Sequence, residues 1–167
     1  MKRVLLTGLS GTGKSTVVAA LVANGHRAVD LDSEAYSHWV DASAWAGAPG
    51  TPVEPDRDWV WREDRVRDLL AENRGEVLIV SGCAPNMTVF LSRFDRIVLL
   101  SAPVDVLVER LGSRTGDGYG TRPDQVKRVV GLVETVEPLL RRMAGHEIDT
   151  SRSLEDVVAT VVEISRT

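Results

Sequence analysis

Short apolar runs alternate along the chain with stretches whose apolar residues recur every three or four positions. Residues 4–7, Val-Leu-Leu-Thr, form the first run and end at Gly8, as a strand buried on both faces would. Val17, Val18, Leu21 and Val22 then keep helical spacing until Asn24-Gly25, a pair that stops helices. The same reading predicts strands at 27–31, 77–80, 97–100 and, more weakly patterned, 146–149. Between them it predicts helices over 58–73, 104–111, 123–144 and 154–164. Alternating strands and helices predict right-handed crossovers and a parallel sheet covered on both faces. Two stretches break the pattern. Residues 42–58 carry Gly47, Pro49, Gly50, Pro52 and Pro55, and 112–123 carry Gly116, Gly118 and Gly120. Both read as irregular loops of the length that serves as functional lids.

Composition narrows the picture. With 167 residues, 43% hydrophobic and 26% charged, the chain is expected to form one α/β domain over 1–167. A net charge of −4 argues against sequence-independent nucleic-acid binding. One cysteine, Cys83, allows no internal disulfide, and no apolar run reaches the roughly 20 residues that span a bilayer. The apolar stretch after Met1-Lys2-Arg3 is too short for the core of a signal peptide, so a cytoplasmic protein is expected, and the chain is expected to act as a monomer or weak dimer.

The strongest chemical signal is Gly8-Leu9-Ser10-Gly11-Thr12-Gly13-Lys14-Ser15, which satisfies G-x-x-x-x-G-K-[ST] between a strand and a helix. Its glycines let backbone N–H groups wrap a phosphate, and the following helix, from Lys14-Ser15-Thr16 onward, offers its positive end. Lys14 would reach the β- and γ-phosphates, and the Ser15 hydroxyl would ligate Mg²⁺. A nucleoside triphosphate site follows, ATP being the expected nucleotide. The motif alone leaves kinase, switch and motor open.

Asp30 and Asp32 lie two apart at the end of the second expected strand, so both carboxylates face one way beside the loop. The third strand ends in Ser81-Gly82-Cys83 without an acid. Asp30 is therefore the candidate for Mg²⁺, and Asp32 for orienting or deprotonating an acceptor hydroxyl. The competing reading has Asp32-Ser33 as a helix cap. Arg110 and Arg114, four apart on a helix, with Arg122 after the glycines, are candidates to close over a transferring phosphoryl group. An ordinary solvated arginine face is the alternative. All four tryptophans, Trp39, Trp45, Trp59 and Trp61, fall within 39–61, as a stacking wall or a local mini-core. Cys83 reads as a small filler, and the three histidines have no metal-ligand spacing.

These residues together resemble the small P-loop kinases of the shikimate kinase, gluconate kinase and adenylate kinase group, closest in layout to shikimate kinase. The resemblance spans nearly the whole chain and implies a three-layer P-loop fold with five parallel strands in the order 2-3-1-4-5 and a short lid at about 112–123. It implies an acceptor-binding segment at about 33–73. It assigns metal and acceptor hydroxyl to Asp30 and Asp32, phosphate contacts to Arg122, and the adenine border to Arg110 and to Thr150, Ser151 and Arg152. Arg62 resembles the family's substrate-side arginine, with Trp61, Gly82 and Cys83 beside it. The chain departs from shikimate kinases in reading Gly82-Cys83-Ala84 for three glycines and Val136 for an arginine. It lacks the arginines of nucleoside monophosphate kinases at 33–36 and 82–86, where Arg57, Arg62, Arg65 and Arg67 are possible substitutes. The implied activity is transfer of the γ-phosphoryl of ATP to a small hydroxyl- or phosphate-bearing acceptor. A nucleoside monophosphate kinase and a nucleotide-dependent regulatory protein are the alternatives.

Overall fold

The computed structural model describes residues 1–45, 52–114 and 121–167. Five strands form a parallel sheet: β1 Lys2–Thr7, β2 Ala28–Asp30, β5 Val77–Ser81, β6 Arg96–Ser101 and β7 His146–Asp149. Their order across the sheet, β2-β5-β1-β6-β7, places the two earliest expected strands on either side of β5, as the 2-3-1-4-5 order implies. Strand alternation sorts the core. Leu5, Leu78, Val80 and Leu99 point to one face, where they meet Val66, Leu69, Phe90, Val129 and Leu140. Val4, Leu6, Ile79, Val98 and Leu100 point to the other, against Val17 and Leu21 of α1 (Lys14–Ala23) and Val157 and Val161 of α6 (Leu154–Arg166). Ser153 caps α6 by accepting the Asp156 N–H at 3.2 Å. Among the described residues, no helix is long and apolar enough to cross a membrane.

Two expectations need correction. The predicted helix over 58–73 is a strand followed by a helix. Strand β4, Arg57–Trp61, pairs antiparallel with β3, Ser37–Asp41, and helix α2 runs only over Glu63–Ala71. Trp59-Val60-Trp61 is a β-favouring triplet, and its pairing with β3 sets Trp59 opposite Trp39. The predicted helix over 123–144 is two, α4 Pro123–Thr135 and α5 Glu137–Met143. Pro138 has no N–H and is tolerated only in a first helical turn, which forces the restart. Residues 85–93, between β5 and β6, form a 3-10 segment with Pro85 at its start. In the loop expected over 42–58, residues 42–45 form a short 3-10 turn and 57–58 belong to β4, while 46–51 lie outside the described residues. Most of the expected lid, 115–120, lies outside them as well.

Candidate active site

The loop between β1 and α1 is shaped by its own atoms. Gly13 occupies the helix N-cap at φ 89°, ψ 14°, a left-handed conformation that glycine adopts without strain. Thr12 donates its hydroxyl to the Leu9 carbonyl at 2.8 Å. The Lys14 ammonium donates to the carbonyls of Gly8 at 2.8 Å and Leu9 at 3.2 Å, which holds it over the loop. Arg110 ties the loop to the last strand's exit: it donates to the Gly11 carbonyl at 3.3 Å, the Thr150 hydroxyl at 3.0 Å and the Thr150 carbonyl at 2.5 Å. Thr150 in turn donates to the Ser101 carbonyl at 3.1 Å.

Asp30 and Asp32 both stand at the carboxyl end of β2, with different partners. Asp30 accepts the Ser15 hydroxyl at 2.6 Å and the Asp32 N–H at 3.0 Å. This facing hydroxyl and carboxylate are hard oxygen donors of the kind Mg²⁺ prefers. Among the described residues no group of three or more His, Cys, Asp or Glu is placed to hold a metal, so a Mg²⁺ here would draw further ligands from phosphate and water. Asp32 is more enclosed. Its carboxylate accepts the Cys83 N–H at 3.1 and 3.2 Å and the Trp61 indole N–H at 3.1 Å. Desolvation raises its pKa above 3.8, while the Lys14 charge and the Trp61 hydrogen bond pull the other way. Its backbone carbonyl accepts the Trp59 indole N–H at 2.8 Å.

Asp32 is thus gripped by two tryptophans two residues apart on β4, because strand side chains repeat their direction every second residue. Trp61 is completely buried beside Phe90. Asn86, 1% exposed, clamps the Trp61 backbone, accepting its N–H at 3.0 Å and donating to its carbonyl at 2.9 Å. Gly82 completes the arrangement through its lack of a side chain. A Cβ there would stand 2.8 Å from both the Asp32 carboxylate and the Trp61 ring. Gly82→Ala is therefore expected to displace Asp32 and to cost about 1–3 kcal/mol, read by thermal unfolding. Unchanged stability and activity would show that the pocket yields freely.

A cavity of about 1030 Å³ opens between the loop and these residues. Gly8, Ser10, Gly11, Gly13, Lys14, Ser15, Thr16, Asp32, Cys83 and Arg114 line it, so ten of the candidate residues meet on one surface. Others do not reach it. Trp61 stands behind Asp32, in the core. Arg57 lies over the Trp39 ring, 4.2 Å from its centroid, and Arg62 donates to the Ser37 carbonyl at 3.2 Å. Arg122 pairs with Glu54 at 3.5 Å and with Asp124 at 3.3 Å. Arg114 lies beyond the end of α3 (Val104–Gly112) rather than on the helix with Arg110, and it donates to the Ser10 hydroxyl at 3.2 Å. Ser151 donates its N–H to Asp149 at 2.8 Å, and Arg152 is exposed. Burial pushes the Cys83 thiol up, keeping it protonated and unsuited to nucleophilic attack. The sequence reading missed Asn86 and the grip of Trp59 on Asp32. The alternating Trp-Val-Trp triplet was the signal available for the second.

The structure resembles solved kinases. Shikimate kinase from Acinetobacter baumannii in complex with shikimate superposes with a TM-score of 0.63 at 19% identity, covering 98% of this chain and 92% of that one. Shikimate kinase from Bacteroides thetaiotaomicron gives 0.58 at 20% identity over 99% of both chains. A sugar kinase from Janibacter sp. gives 0.55 at 18%, covering 98% of this chain and 93% of the other. No curated protein matches by sequence. A family model described as AAA domain matches residues 4–131, from β1 through the phosphate loop into α4. The chain belongs to that family of P-loop domains, and it carries the five-stranded α/β fold of the shikimate kinase group.

Proposed function

We propose that the protein is an ATP- and Mg²⁺-dependent phosphotransferase acting on a hydroxyl of a small molecule. The observation that carries this reading is the convergence of a phosphate-binding loop and an enclosed carboxylate, Lys14 and Asp32, on one cavity. An NTPase switch has no need of a desolvated acid aimed at an acceptor-sized space.

In this reading Gly11, Gly13 and Lys14 hold the phosphates, and Lys14 neutralises charge that develops on the γ-phosphoryl group. Ser15 and Asp30 would hold Mg²⁺, which when bound would offset phosphate charge. Arg114 stands on the loop side of the cavity, where a phosphate oxygen would add to its bond with Ser10. The acceptor oxygen attacks the γ-phosphorus in line, its proton passes to the Asp32 carboxylate, and the bond to the β-phosphate oxygen breaks to release ADP. Arg110 and Thr150 position the loop and border the nucleotide. Arg122, held by Glu54 and Asp124 in the described structure, joins the phosphates only by exchanging those partners. The expected result with purified protein and Mg-ATP is ADP release that rises when a suitable alcohol is added. ADP release indifferent to every acceptor would contradict the reading.

Trp61 is assigned a positioning role through its hydrogen bond to Asp32. That bond favours the ionised carboxylate, so Trp61→Phe is expected to raise the Asp32 pKa further. The acid limb of the kcat profile, which requires ionised Asp32, should move to higher pH. A uniform fall in rate with an unmoved limb would assign Trp61 to packing alone.

A further inference from the structure

We infer that the acceptor is an uncharged alcohol with an apolar, ring-like body, rather than a carboxylate or a phosphate monoester. The inference rests on the kinase reading and narrows it.

The first observation is the material of the wall. Away from the phosphate loop, the lining includes the carbon side chains of Leu132, Val136, Leu139 and Met143 of the α4–α5 segment. Trp39 and Trp59 line it too, their rings meeting edge to face with centroids 5.0 Å apart. Trp39 is 41% exposed, and the Trp59 ring is fixed by its bond to the Asp32 carbonyl. Aromatic rings and branched aliphatic side chains in one lining suit a planar or alicyclic body, with a hydroxyl turned toward Asp32.

The second observation is where the positive charge goes. Residues 46–51 and 115–120 contain no Lys or Arg, so every cation of the chain lies within the described residues. The four arginines of the acceptor segment are turned to protein partners and do not line the cavity. Arg57 covers Trp39, Arg62 and Arg65 donate to the carbonyls of Ser37 and Ala35, and Arg67 donates to Glu63. Of the cations that do line it, Lys14 belongs to the phosphate loop and Arg114 bonds to Ser10 of that loop. Arg142, on α5, is exposed, and an anion beside it would keep its water. The acceptor end instead has the acidic residues Asp32 and Glu34 in its lining, with Asp58, whose carboxylate accepts the N–H groups of Val53 and Trp59. An anionic acceptor placed at Asp32 would lose hydration to carbon and meet like charge, without a cluster of guanidinium groups in return.

The test uses four alcohols that differ at one position: 4-methylbenzyl alcohol, 4-(hydroxymethyl)benzoate, 4-(hydroxymethyl)phenyl phosphate and 4-(aminomethyl)benzyl alcohol. Binding to the full chain with Mg-ADP is read by tryptophan fluorescence, and ADP release from Mg-ATP is read separately. The methyl compound should bind at least about tenfold more tightly than either anion. Val136→Arg, which puts a cation into the carbon wall, should shift the preference toward the benzoate. Equal or tighter binding of the benzoate, the phosphate or the amine, or no binding by any member, would overturn the inference. Preferential binding of the methyl compound without any stimulated ADP release would leave the ligand class standing and overturn the kinase reading.

Discussion

Lys14→Ala is expected to lower phosphoryl transfer by about 10³-fold or more while leaving the protein folded. The ammonium is the sole cation of the loop motif and stands on the Gly8 and Leu9 carbonyls, at the mouth of the nucleotide site. Removing it takes a positive charge from the place where the γ-phosphoryl group accumulates negative charge. No ion pair of Lys14 is lost among the described residues, and Gly8 and Leu9 both line the cavity, from which water can replace the ammonium. Thermal unfolding should therefore change little, and the loss should sit in kcat together with weakened nucleotide binding. A variant that kept near-original turnover would place the chemistry somewhere other than this loop.

The second large effect is expected for Asp32→Asn, with kcat falling about 10²–10⁴-fold and the KM for ATP staying near its original value. The amide preserves the shape of the carboxylate, and its oxygen still accepts from Trp61 and Cys83. What disappears is the capacity to take a proton. Stability should move in the opposite direction. Desolvation raises the Asp32 pKa above 3.8, so the folded state disfavours the ionised form. The wild type then has its full share of stability from this group below the unfolded pKa, and loses it as pH rises through the raised, folded value. Asn removes the charge and with it that loss. At neutral pH the variant should be at least as stable as the wild type while being nearly inactive. A destabilised variant with intact kcat would return Asp32 to the role of a turn or cap residue.

These two residues were the legible part of the site. The phosphate loop and the paired aspartates are local motifs, fixed by spacing within a few residues, and the strand and helix on either side of the loop announce themselves by periodicity. The sheet order followed from likeness to a known fold, and the strands pair accordingly. What remained hidden depends on contacts between distant segments. Trp59 and Trp61 read as one end of a helix because the helical pattern of Val66, Leu69 and Leu70 was carried back over them, against their own strand-like i, i+2 spacing. Pairing with β3 made them a strand, and the strand turned both indoles onto Asp32. Asn86 is a single polar residue in a proline-led turn, with nothing in the sequence to say that it closes the backbone of Trp61. The partners of the arginines were hidden for a related reason. Arg57 and Arg122 are long, exposed side chains, and their partners Trp39 and Glu54 come from elsewhere in the chain. The break at Pro138, by contrast, was available from the chemistry of proline and was overridden by an otherwise continuous helical pattern.

Transfer of phosphate to an alcohol in this cavity can be followed with ATP carrying ³²P in its γ-phosphate. With 4-methylbenzyl alcohol present, the label should appear in an organic phosphate ester, and Lys14→Ala and Asp32→Asn should each suppress that product. Label recovered solely as inorganic phosphate, at a rate unaffected by any acceptor or by Asp32→Asn, would contradict the account and mark the protein as a nucleotide hydrolase.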